Sequence, residues 1–145
     1  MANSSQSAAV PMLLHPLFVA AGAAFLIGAL VTDIFYAETL LFEWNNFSIW
    51  LITAGLISAG LAGAALVLDV LLGRAGPINW PRFVLLIGAA LLSLLNALVH
   101  SRDSYSAVVP QGMMLSVVVT VTLLIVVVHG WSVAPIRTSL KGTRS

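Results

Sequence analysis

Four long runs of apolar residues, separated by short stretches that hold most of the charge, set the pattern of this chain. The runs lie near 13–36, 47–72, 82–100 and 112–133. Each is close to the 20 or so residues that an α-helix needs to cross roughly 30 Å of hydrocarbon. All six prolines stand at the margins of these runs. Pro11 and Pro16 precede or open the first, Pro77 and Pro81 fall between the second and third, Pro110 precedes the fourth and Pro135 follows it. Proline lacks a backbone donor and clashes inside a helix, so it marks helix ends. The first connection has none, and there Trp44-Asn45-Asn46 supplies the turn signal. A strand over the valine-rich stretch 117–128 would leave its backbone unpaired in lipid, so helix is predicted there too.

The pattern predicts an all-α fold, an integral membrane antiparallel four-helix bundle with short loops. A polar N-terminal tail covers 1–12, the four-helix domain 13–133 and a basic cytoplasmic tail 134–145. Charge sets the direction, because cytoplasmic loops are enriched in Lys and Arg. Arg74 and Arg82 flank the middle connection, and Arg137, Lys141 and Arg144 lie in the tail, against Arg102 alone on the other side. Both termini are therefore expected in the cytoplasm. Tyr36, Trp44, Trp50 and Tyr105 would line the outer interface, and Trp80 and Trp131 the inner one.

Composition agrees with a lipid solvent. Hydrophobic residues make up 60% of the chain and charged residues 8%, where a soluble domain carries about 25% charged residues to wet its surface. The chain has no cysteine, which removes disulfide frameworks, thiolate zinc sites, iron–sulfur clusters and cysteine catalysis. A net charge of +1 offers no basic patch for nucleic acid. Residues 1–11 contain no Lys or Arg, so the first run reads as a retained helix rather than a signal peptide.

Helical spacing then sorts the polar groups onto faces. His15, Gly22, Ala29 and Asp33 share a stripe on the first helix. On the second, Gly55, Ala62 and Asp69 recur at i+7 with Ser58 and Ala65 between them, and a separate ridge Gly55-Ala59-Gly63 runs at i+4. The third carries Ala89, Ser93, Asn96 and His100, and the fourth Thr122 and His129. Small residues let helices approach closely in lipid, so these faces are expected to pack inward. His15, Asp69 and His129 fall near the cytoplasmic boundary, and Asp33, Asn96 and His100 near the outer one. All lie within about two turns of a helix end, where water or headgroups are expected to reach them.

The run His15-Pro16-Leu17-Phe18-Val19, followed by Gly28-Ala29-Leu30-Val31-Thr32-Asp33, resembles the start of a family of small bacterial membrane proteins, the "domain of unknown function twenty-two thirty-one" family. The resemblance continues through Asp69 closing the second helix, Asn96 and Arg102 at the end of the third, and Gly130-Trp131 at the end of the fourth. It implies a multi-pass protein of the bacterial inner membrane. Many members of that family carry a second histidine within helix one, where this chain has Ala20 or a neighbour, and another near the start of helix three, where it reads Val84-Leu85-Leu86. Those intramembrane histidines invite comparison with b-type cytochromes, and their absence here weakens a haem assignment by resemblance.

The sharpest chemical reading is a haem b held by His15 and His129, which share a membrane side as a bis-histidine site requires. The plainer reading makes both of them polar helix-end residues. His15, Asp69 and His129 could also hold a metal, although without local ligand spacing. For Asp69 the plain alternative is an ion pair with Arg74 or Arg82, and for Asp33 a hydrated place near its helix end. A transporter calls for broken helices and midplane polar groups, whereas the prolines here avoid helix centres and the central Ser and Thr residues can bond back to their own helices. No nucleophile–base motif or phosphate loop is present, so no enzyme is expected. The reading adopted is a non-enzymatic accessory, anchor or scaffold subunit working with other membrane or periplasmic subunits, with the haem-binding redox subunit as its alternative.

Overall fold

The computed structural model describes residues 14–74, 77–102 and 107–132, and the two tails, 1–12 and 134–145, lie outside the described residues. The described residues form four α-helices: α1 (Leu14–Thr39), α2 (Phe42–Leu71), α3 (Trp80–His100) and α4 (Met113–Ser132). Each of the four apolar segments is long enough to cross a membrane, and no strand occurs among the described residues. An uninterrupted helix pairs its backbone within its own segment, which is what lipid demands.

The first connection is tighter than the sequence suggests. α1 runs to Thr39 and α2 begins at Phe42 rather than near residue 47, so Leu40 and Leu41 make the whole turn. Leu40 takes φ 59°, and its N–H donates to the Tyr36 carbonyl at 2.8 Å. Positive φ is uncommon outside glycine; here the long α1–α2 contact holds it in place. Trp44, Asn45 and Asn46 are not the turn but part of the first turns of α2. Trp44 stacks on Phe35 of α1, ring centroids 4.8 Å apart, and Asn45 is buried. These contacts outweigh the turn preference of asparagine.

The other ends follow local chemistry. α2 stops at Gly73, whose φ of 65° suits the left-handed cap. The Gly73 N–H donates to Val70 O and that of Arg74 to Asp69 O, the paired bonds that close a Schellman ending. α3 opens on Asn79, whose side chain accepts from the Arg82 N–H, with Pro81 in the first turn. A wide helical turn, Ala107–Gly112, broken at Val109 and containing Pro110, leads into α4.

Around the bundle the helices follow one another in chain order, with α1–α2 the most extensive contact and α2–α3 the thinnest neighbouring one. Leu26 and Ala29 of α1, Ile52 of α2, Ala89 of α3, and Val119 and Leu123 of α4 form the central core. Gly55, Ser58, Ala62, Ala65 and Asp69 are all buried. A Cβ added to Gly22 would lie 3.3 Å from Gly55 O, and one added to Gly55 would lie 2.6 Å from Leu26 Cγ, so the two backbones meet closely.

The ridge Gly55-Ala59-Gly63 does not pack on α1 along its whole length. Gly55 and Ala59 reach α1, whereas a Cβ on Gly63 would meet nothing within 4 Å. Successive i+4 steps advance about 40° past a full turn, so the ridge winds off the α1 face, while i+7 steps drift only about 20°. The outward faces carry Leu17, Ile57, Val84, Leu91, Leu98 and Leu124, all exposed, a surface suited to lipid rather than water.

Candidate functional site

Asp33 belongs to the last two turns of α1, and in the structure it is fully enclosed at 0% exposure. Its Oδ1 accepts from Ser48 Oγ of α2 at 2.5 Å and lies 3.0 Å from His100 Nε2 of α3. Its Oδ2 accepts from Ser116 Oγ of α4 at 2.5 Å. Ser116 in turn accepts from Asn96 Nδ2 at 2.7 Å. One carboxylate thus gathers a partner from each of the other three helices. The end of α1, the start of α2, the end of α3 and the start of α4 meet at this point.

The expectation that water or headgroups reach these residues is overturned, as is the hydrated reading of Asp33. Asn96 is 2% and His100 3% exposed. The reason is convergence: the helix faces that carry them turn to the bundle axis, and Gly112 closes over the imidazole. A Cβ on Gly112 would lie 2.6 Å from His100 Cε1, so only glycine leaves room for the ring. Tyr36, expected at the outer interface, is also buried.

The hydrogen-bond inventory limits the charge of this cluster. His100 Nδ1 faces the Asn96 carbonyl at 3.0 Å, which can only accept, so Nδ1 carries a hydrogen. The contact between Nε2 and Asp33 then holds a single proton, on the imidazole or on the carboxyl. The pair has zero net charge in either form, which suits burial in lipid. It is not a nucleophile relay. Ser48 lies 3.4 Å from the same Nε2 that Asp33 occupies, so no ring nitrogen stands between an acid and a hydroxyl. Several mid-helix hydroxyls elsewhere are spent locally, as when Ser58 donates to Ala54 O and Ser93 to Ala89 O, whereas Thr120 Oγ1 is buried without a partner among the described residues.

At the opposite end of the bundle His15 Nδ1 of α1 stands 3.2 Å from Asp69 Oδ2 of α2. Asp69 therefore pairs with His15 rather than with Arg74 or Arg82. Arg74 follows the left-handed turn at Gly73, and both arginines are exposed. His15 and Arg82 border a cleft of about 460 Å³ between α1, α2 and α3. The His129 side chain lies outside the described residues, so the His15–His129 pairing does too. His100, with both ring nitrogens engaged, is committed to the Asp33 cluster. Among the described residues no group of three or more His, Cys, Asp or Glu side chains is placed to hold a metal ion.

Of the boundary residues singled out in the sequence, Asp33, Asn96 and His100 come together, and Asp69 joins His15 at the other end. Ser48, Ser116 and Gly112 are the partners that sequence reasoning misses. Ser48 does carry a signal: it stands seven residues before Gly55 and continues the buried stripe of α2. Ser116 shares its place with other hydroxyls on α4, and nothing local separates it from them.

The family model described as "Predicted membrane protein (DUF2231)" matches residues 11–137. No curated protein and no solved structure matches the chain.

Proposed function

Starting from the fact that the chain belongs to this family of predicted membrane proteins (DUF2231), we propose that it is a non-enzymatic accessory or scaffold subunit of a larger membrane complex. The observation that carries this reading is the closure of the Asp33 cluster. The densest chemistry among the described residues has 0% exposure at its centre, and its carboxylate is fully engaged by the chain's own side chains. A catalytic or transport site must admit its substrate; this one fastens four helices to one another. Two further features support a subunit role. Connections such as Leu40–Leu41 leave little outside the helices, and the outward faces are apolar along the spans. On this reading the protein lies in the bacterial inner membrane with both termini in the cytoplasm, beside membrane or periplasmic partner subunits.

The test is purification of the full chain from native membranes in mild detergent. Co-purifying proteins are identified, and absorption spectra are taken oxidised and then dithionite-reduced. A reproducible membrane partner with a protein-only spectrum is the expected result. Recovery of the chain alone would contradict the subunit role. A stoichiometric Soret band that shifts on reduction and disappears in His15→Ala and His129→Ala would replace it with a haem-binding redox subunit.

A further inference from the structure

The cleft between α1, α2 and α3 follows the thinnest contact between neighbouring helices. Its lining on α1 runs from His15 to Leu26. At 1.5 Å per residue that is about 16 Å, close to half of the roughly 30 Å hydrocarbon thickness. The cleft therefore begins at a helix end and stops near the middle of the bundle, against Ala89 and Leu123, both part of the central core. Phe18, Leu66, Phe83 and Leu86 make its walls apolar, while His15, Asn79 and Arg82 are its polar members. Among the described residues the Arg82 guanidinium forms no ion pair, and the nearest candidate carboxylate on α2, Asp69, is taken by His15.

We propose that this cleft binds an anionic phospholipid, with one acyl chain in the apolar bore and the headgroup phosphate on Arg82. Three features select that occupant. The bore has the depth of one leaflet, the reach of an acyl chain and too short for a partner helix spanning the membrane. The volume of about 460 Å³ lies within the roughly 300–1,000 Å³ typical of pockets for small ligands. The rim offers an unpaired guanidinium, the side chain best matched to phosphate. A soluble anion would leave the bore empty. A zwitterionic lipid would bring its own cation beside Arg82. Room for the chain comes from Ala59, Gly63 and Ala90, small residues along the bore.

The experiment uses the full chain, delipidated in detergent and exchanged into phosphatidylcholine vesicles with a minority of phosphatidylglycerol. After re-extraction, native mass spectrometry counts each lipid retained per chain. One retained phosphatidylglycerol per chain, against an excess of phosphatidylcholine, is expected. Arg82→Gln, at an exposed position, should lower that preference about tenfold by removing a charge-assisted contact. Gly63→Leu, placed where a Cβ meets nothing, should fill the bore and lower retention of both lipids. Equal retention of the two lipids by the unmodified chain overturns the proposal, as does undiminished retention in either variant. Loss of a co-purifying protein in Gly63→Leu, with lipid unchanged, would instead assign the cleft to a partner helix. Melting temperatures measured alongside confirm that both variants are folded before their lipid counts are compared.

Discussion

His100 Nε2 lies 3.0 Å from Asp33 Oδ1, a contact between residues 67 positions apart. It joins α1 to α3, which otherwise touch sparsely across the diagonal of the bundle. Ser48 and Ser116 attach α2 and α4 to the same carboxylate, so every helix depends on Asp33 for one polar contact. In lipid, apolar side chains gain little by leaving the solvent, and packing and interhelical hydrogen bonds decide association. The Asp33 cluster and the close approach of Gly22 to Gly55 supply those two terms at different depths.

Asp33→Ala should therefore destabilise the bundle more than any other single polar truncation. It leaves two serine hydroxyls and an imidazole without their shared partner inside a sealed site. Breaking a buried pair by removing one partner costs about 3–5 kcal/mol, and the lower end applies because helices in lipid find alternative partners. The measurement is unfolding in mixed micelles, followed by circular dichroism. The double variant Asp33→Ala with His100→Ala should lose less than the sum of the two single changes, because the residues share one network. Strict additivity would show that the pair contributes nothing as a pair.

How much of this was legible beforehand depends on the kind of information each feature needs. Segment length and hydropathy report a membrane span directly, so the four helices follow from the chain itself. Periodicity placed Asp33, Asn96 and His100 on faces with small residues, which is why their inward direction could be read. Their burial could not be read, because it depends on Gly112 closing over the ring from a turn 12 residues further on. Distance from a helix end is a poor measure of exposure when four ends converge. The turn at Leu40 and Leu41 was hidden for a related reason. Asn45 and Asn46 are strong local turn formers, and only the tertiary contact of Trp44 with Phe35 moves the turn to two leucines.

Glycine positions separate packing from propensity. Gly112→Ala places a methyl 2.6 Å from His100 Cε1, so the ring must leave Asp33 or the turn must shift. Overpacking of this kind costs about 1–3 kcal/mol. Gly88→Ala, in the interior of α3 with nothing within 4 Å of the new methyl, should instead stabilise by up to about 1 kcal/mol through helix propensity. The two variants should move the melting temperature in opposite directions. A stable Gly112→Ala protein with an unaltered His100 nuclear magnetic resonance signal would contradict the packing described here.

The two histidine–carboxylate pairs should differ in weight. His100 and Asp33 have 0% side-chain exposure on both partners, while His15 is 29% and Asp69 10% exposed. Solvent screens the His15–Asp69 pair, and partly exposed pairs of this kind contribute about 0–1 kcal/mol. His15→Ala should then unfold close to the unmodified protein, with His100→Ala well below it. Equal losses in the two variants would mean that the cleft end is as closed in solution as the Asp33 end.

Orientation is the remaining prediction, and it fixes which leaflet the Arg82 cleft faces. Arg74, Arg82, Arg137, Lys141 and Arg144 lie at one end of the chain's alternating path, and Arg102 alone at the other. Lys and Arg are retained on the cytoplasmic side during insertion, so Arg82 should face the inner leaflet. The chain contains no cysteine, which allows single-cysteine mapping without background. Ser104→Cys, between α3 and α4, should react with a membrane-impermeant maleimide in intact cells, and Ser139→Cys should react only after permeabilisation. The reverse pattern would invert the protein and move the cleft to the outer leaflet. Labelling of both positions in intact cells would require an even number of crossings between residues 104 and 139, which the single span α4 forbids.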